Sequence, residues 1–132
     1  MRTMAIDTKT ENAGYGMLID YKYCTGCHSC EVSCQERFGM PAGEYGIKLS
    51  CNGPWDHGND NWEWNWVPIP TQNCDLCIDR RKAGKKALCE THCQALVITV
   101  GKLEDLVKQM DESREQVIYN RTNDVAPLKA RY

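Results

Sequence analysis

At 132 residues and 15.1 kDa the chain has room for one compact domain and not comfortably for two. An apolar share of 42%, one Phe and a mean hydropathy of −0.58 leave a modest core that needs another source of cohesion. The formal charge of −2, from 16 Lys and Arg against 18 Asp and Glu, supplies no broad basic field and disfavours general nucleic-acid binding.

Residues 1–14 are polar without periodicity and read as a flexible or partner-dependent arm. The start has no apolar h-region, and no later stretch approaches the roughly 18 apolar residues of a membrane span. The expectation is a soluble, cytoplasmic chain without a span of its own, with export alongside a signal-bearing partner left open. Tyr15 to Asp20 is a short apolar run that reads as a strand, and His28 to Arg37 reads as a short helix with Ser29 as N-cap and Phe38-Gly39 as its end. Gly43 to Ser50 and Trp62 to Ile69 alternate as strands, with turn chemistry at Gly53-Pro54 and at 57–61, and so predict a hairpin inserted over about 43–70. Asp75 to Lys86 reads as a helical turn and a loop through Gly84. Leu96 to Val100 reads as a β-branched strand, and Leu103, Leu106, Val107 and Met110 stand at helical spacing. The dominant unit is thus expected over 15–110, with 111–132 a polar tail suited to contact with a partner.

Nine cysteines decide the chemistry. An odd number in a chain expected to stay in a reducing compartment points to metal ligation and away from a disulfide framework. The first block, Cys24, Cys27, Cys30 and Cys34, is C-x2-C-x2-C-x3-C, the bacterial iron–sulfur spacing. Thiolates two residues apart wrap a loop around a cubane, and Gly26 lets the backbone approach. Four thiolates so closely spaced overcrowd a single tetrahedral zinc. The second block, Cys74, Cys77, Cys89 and Cys93, is C-x2-C-x11-C-x3-C, which taken alone suits a structural zinc nearly as well. In two-cluster ferredoxins the fourth cysteine of a run ligates the other cluster. That logic assigns Cys24, Cys27, Cys30 and Cys93 to one [4Fe–4S] cluster and Cys34, Cys74, Cys77 and Cys89 to a second. Each cluster then ties one block to the other and replaces apolar burial with metal–thiolate bonds. A strand before the first block and a strand after the second suggest a degenerate repeat. The expected fold is therefore α+β, a two-cluster ferredoxin-like domain with a pseudo-twofold repeat and an inserted β-hairpin.

The stretch Cys74-Asp75-Leu76-Cys77-Ile78-Asp79-Arg80-Arg81-Lys82-Ala83-Gly84, continuing to Cys89, Cys93 and Ala95-Leu96, resembles the iron–sulfur subunits of the dimethyl-sulfoxide-reductase type. The resemblance spans about residues 15–108 and implies a ferredoxin-like electron carrier, not catalytic alone, paired with a catalytic subunit holding a molybdopterin or tungstopterin. Reductases, dehydrogenases and aromatic dehydroxylases or transhydroxylases all use such carriers, which exchange electrons with an external carrier in either direction. Gln35 and Gln94 stand where that family often has Pro, and eight placed cysteines support two clusters where the family commonly carries four. Competing readings are a free soluble dicluster ferredoxin and a zinc-stabilised interaction module.

Arg80, Arg81, Lys82, Lys85 and Lys86 form a positive run between two ligands, read as a docking patch, a device raising cluster potential or a solvated loop. Trp55, Trp62, Trp64 and Trp66 fall in the hairpin, the last three on one strand face, to pack on the domain, cover a cluster or meet a partner. His28 and His92 flank ligands and are not expected to ligate. Cys51 has no cysteine near it in sequence and reads as a buried thiol or loop residue. No nucleotide-binding or hydrolytic motif occurs.

Overall fold

The computed structural model describes residues 12–112 and 114–120. Its organising element is β1 (Tyr15–Asp20), the middle strand of an antiparallel sheet ordered β4 (Ile98–Lys102), β1, β5 (Gln116–Asn120). A middle strand covered on both faces needs apolar groups at successive positions, and Met17, Leu18 and Ile19 are all buried. Met17 and Ile19 face the cysteine-rich core. Gly16 turns to the opposite face, where Leu103 of α4 (Leu103–Gln109) fills the space that a Cβ at Gly16 would need. Of the four apolar positions expected to bury α4, only Leu106 is fully enclosed; Val107 and Met110 lie exposed.

Strand β5 falls inside the segment expected to be a tail, and Asn12 of the expected arm is buried, so ordered structure extends past the limits at 15 and 110 drawn from sequence. Val117 and Tyr119 pair with Ile19 and Met17, and Arg114 Nη1 donates to Asp20 Oδ2 at 2.6 Å, pinning the entry to this edge strand. The remainder of the expected arm, 1–11, and of the tail, 121–132, lies outside the described residues.

Everything that carries the two cysteine blocks sits between β1 and β4. A 3₁₀ turn (Tyr21–Tyr23) leads to α1 (Ser29–Phe38), then the hairpin of β2 (Ile47–Asp56) and β3 (Trp62–Pro70), then α2 (Ile78–Lys82) and α3 (Leu88–His92). The architecture is α+β, as expected. The N-cap of α1 is His28, at φ 64°, and not Ser29; Gly39 closes the helix in the left-handed region with its N–H on the Gln35 and Glu36 carbonyls. The hairpin is longer at its tip than expected. Gly53-Pro54 does not turn the chain but lies in β2, where the pairing register shifts between Asn52 and Trp55. Proline has no N–H to give the ladder, and a bulge accommodates it, which leaves 57–61 as the turn. No helix among the described residues is long and apolar enough to cross a membrane.

One carboxylate buckles the hairpin to the helix that carries the first cysteine block. Glu31 of α1 is buried, and its two oxygens meet His28 Nδ1 at 2.5 Å, Lys48 Nζ at 2.9 Å and the backbone N–H of Leu49 at 2.7 Å. Burial raises the affinity of this carboxyl for a proton, but the bonds from His28, Leu49 and Lys48 prevail and hold it below the usual carboxylate range. Glu31→Ala would leave the buried Leu49 N–H without an acceptor, so unfolding free energy should fall by about 1–3 kcal/mol. Denaturant unfolding of the two proteins measures this; a loss below about 0.5 kcal/mol, the scale of a plain surface change, would show that the buckle is dispensable.

Candidate metal centres

Two cavities divide eight of the nine cysteines into two sets of four. Cys24, Cys27, Cys30 and Cys93 line the first, with Leu49 and Pro68 of the hairpin and Val97 and Ile98 closing it. Cys34, Cys74, Cys77 and Cys89 line the second, with Met17, Phe38, Leu76 and Ala87 around them. The division crosses the sequence blocks. Cys34 sits one turn beyond Cys30 on α1 and so opens on a different cavity, while Cys93, just past the end of α3, swings back to the first.

Backbone conformation lets such short loops wrap around a centre. Gly26 and His28 alternate with the first cysteines at φ 74° and 64°, and Leu76 and Cys77 are consecutive left-handed residues at φ 57° and 50°. These turns aim main-chain N–H groups inward. The Leu76 N–H reaches Cys74 Sγ and the Val97 N–H reaches Cys93 Sγ, each at 3.4 Å. Trp66 from β3 lies over the first loop, its ring taking the space that a Cβ at Gly26 would need and meeting His28 edge-on at 5.9 Å.

The electrostatics follow the same partition. Burial pushes the Cys30 thiol up to about 12, helped by Glu31, Cys24 and Cys27. Burial likewise pushes Cys34 up to about 12, helped by Cys74 and Cys77, and drives Cys89 well above the ordinary thiol range. Cys77 and Cys24 are raised for the same reason. Cys27 runs the other way: it is exposed, and hydrogen bonding with Ser29 lowers its pKa. An interior of this kind favours neutral thiols, and thiolate ligation must release those protons to solvent as cations take their place. Among the described residues no three His, Cys, Asp or Glu side chains converge closely enough to hold one metal ion. The thiols line the walls of the two cavities.

Cys51 belongs to neither cavity. It is an exposed residue of β2, neither buried nor in a loop, and its sulfur accepts from Trp64 Nε1 at 2.8 Å. Of the four tryptophans only Trp66 packs on the domain; Trp55, Trp62 and Trp64 remain mostly exposed. His28 is engaged by Glu31, and His92 lines a separate surface cleft between α1 and α3.

Two supporting residues carry no sequence signal. Arg81, which the sequence groups with surface charge, braces the second loop: its Nε donates to Leu76 O at 2.8 Å, its guanidinium bonds Asn12 Oδ1, and its Cζ lies 4.2 Å above the centre of the Tyr15 ring. Asn12 in turn donates to Asp75 O at 3.1 Å. Gly46, before β2, lies so close to Cys34 Sγ that a Cβ there would overlap the sulfur.

No protein-family model matches the chain. Among curated proteins it is similar to a dimethyl sulfoxide reductase iron-sulfur subunit of Halobacterium salinarum, with 26% identity over 72 aligned residues that cover 46% of this chain and 28% of that protein. The chain therefore spans little more than a quarter of that relative's length. The likeness supports an iron–sulfur subunit family at most.

The crowding at Gly46 gives a direct test of the second cavity. If Cys34 holds a metal in the second cavity, Gly46→Ala should displace its sulfur and lower bound metal per chain. Elemental analysis beside protein quantitation reads it, and full retention would count against Cys34 as a ligand there.

Proposed function

We propose that the chain is the small electron-transfer subunit of a larger oxidoreductase and carries two [4Fe–4S] clusters, one held by Cys24, Cys27, Cys30 and Cys93 and one by Cys34, Cys74, Cys77 and Cys89. The carrying observation is the pair of four-cysteine cavities, each drawing its thiols from both sequence blocks. The residues suit the group: four thiols per cavity, N–H donors on the sulfurs and apolar walls that limit water.

When bound, each cluster accepts or releases one electron without making or breaking a substrate bond. The chain's own contribution is to place and tune. Crossed ligation fixes the two centres relative to each other on one rigid frame, β1 and α1 on one side and α3 and β4 on the other. Main-chain N–H groups on Cys74 and Cys93 stabilise the more reduced state, since added negative charge on sulfur strengthens those bonds. Cys27, exposed among mostly buried ligands, gives the first centre its edge toward solvent or a partner.

The catalytic partner in this reading is a molybdopterin- or tungstopterin-containing subunit, in keeping with the name of the relative and with the resemblance of the 74–96 stretch. Three exposed tryptophans on the hairpin, Trp62 and Trp64 on one strand face and Trp55 on the other, favour a subunit over a free ferredoxin, because exposed aromatic groups are enriched at contacts. The close spacing of the first block, C-x2-C-x2-C-x3-C, favours clusters over zinc, because four thiolates so near in sequence overcrowd a single tetrahedral ion.

Anaerobic purification followed by iron, sulfide and EPR analysis tests the reading. It predicts about eight irons and eight acid-labile sulfides per chain, with S = 1/2 signals after dithionite reduction. Zinc without sulfide would overturn it.

A further inference from the structure

The positive run between Cys77 and Cys89 plays no part in holding the cavities except through Arg81, yet it is the densest charge in the described chain, with five cations in the seven residues 80–86. The loop is built to hold its shape. Gly84, at φ 77°, turns the chain and donates to Arg81 O at 3.0 Å, Lys85 N donates to Arg80 O at 2.8 Å, and Arg80 Nε closes the far side on Lys86 O at 2.7 Å. A solvated linker has no need of three closing hydrogen bonds. Arg80 Nε and the guanidinium of Arg81 are engaged on the frame while Lys85 and Lys86 stand exposed.

The carboxylates of the same stretch offset only part of this charge. Asp79 pairs with Arg37 at 2.8 Å, and Glu90, which accepts from the Ala87 N–H at 3.3 Å as part of the entry to α3, lies within electrostatic reach of Lys86. Five cations against these two carboxylates over 79–90 leave net positive charge facing water on a chain whose formal charge is −2. Its position matters as much as its sign. Lys86 directly precedes Ala87 and Leu88, which both line the second cavity, so the backbone that carries the two lysines lies within about two residue lengths of chain, at about 3.8 Å each, from that cavity's wall.

We propose that the 80–86 loop is the docking surface for an acidic electron-carrier protein, with Lys85 and Lys86 as its contact charges at the outer rim of the second cavity. That the partner is a redox carrier rests on the proposed electron-transfer function; that it is acidic rests on the loop alone. Charge complementarity of this kind sets encounter rate and orientation and weakens as salt screens it. The exposed tryptophans lie on the hairpin, near the first cavity through Trp66, so the two surfaces serve different neighbours.

The test uses the full chain as purified, with its metal, and an oxidised acidic flavodoxin as probe, its binding measured by calorimetry across a salt series. Lys85→Glu/Lys86→Glu is compared with Lys102→Glu/Lys108→Glu, which changes net charge equally at exposed lysines on β4 and α4. The proposal expects wild type to bind at low salt, the first pair to weaken binding by about tenfold or more and flatten its salt dependence, and the second to stay within about twofold. Equal losses in both pairs, or no binding by wild type, would overturn it. So would unchanged binding with only a shifted reduction potential, since the run would then offset cluster charge and no more. Iron and sulfide assayed on the same preparations separate the claims: missing clusters sink the electron-transfer reading, while loaded protein that fails to bind sinks the docking surface alone.

Discussion

Sulfur occupies the positions in this protein where a larger domain would place hydrocarbon. Cys30, Cys34, Cys74, Cys77 and Cys89 are buried beside Met17, Ile19 and Ile98 in one core. Thiols so enclosed resist ionisation, and Cys30 and Cys34 are pushed up to about 12. The interior is thus unfavourable for bare thiolates and favourable for thiolates whose charge is met by bound cations. This condition explains the rest of the architecture. The sheet brings the start of the first block and the end of the second together, because β1 leads into one and β4 leads out of the other and the two strands pair. The hairpin, buckled on by Glu31 and roofing the first loop with Trp66, closes a side that a small core would leave open to water.

The supports around the cysteines are polar and come from a distance in sequence. Asn12 holds Asp75 and Arg81 across more than sixty residues, Gly46 leaves room for the Cys34 sulfur, and Arg114 ties the edge strand to Asp20. Such contacts orient ligand loops in the way that outer-shell groups orient metal ligands generally. They also give the molecule two unlike ends: an aromatic hairpin beyond the first cavity, and a stiff cationic loop at the rim of the second.

The spacing C-x2-C-x2-C-x3-C made the first loop and its chemistry legible, and the run from Tyr15 to Asp20 made β1 legible, because both signals are local. The division of eight cysteines between two cavities was also within reach, through the rule that in two-cluster ferredoxins the fourth cysteine of a run goes with the other set. What local pattern could not carry was tertiary in origin. Strand β5 is a half-buried edge whose Val117 and Tyr119 alternate over only five residues, too weak a signal beside the polar residues around it. The five-residue helix α3 is too short to show a period. Gly53-Pro54 signals a turn by composition, yet the partner strand runs past it and a bulge absorbs it. Arg81 sits in a run of surface cations with nothing to mark that its guanidinium points inward, and Gly46 looks like any loop glycine until the Cys34 sulfur is beside it.

The central claim is that each centre takes thiolates from both blocks. Its most direct test is the reduced-state EPR of Cys93→Ser and Cys34→Ser set beside Cys27→Ser and Cys77→Ser. Crossed ligation requires Cys93→Ser to lose the same signal as Cys27→Ser, and Cys34→Ser the same signal as Cys77→Ser. A spectrum in which Cys93→Ser matches Cys77→Ser, and Cys34→Ser matches Cys27→Ser, would mean that each block holds its own centre and would contradict the account.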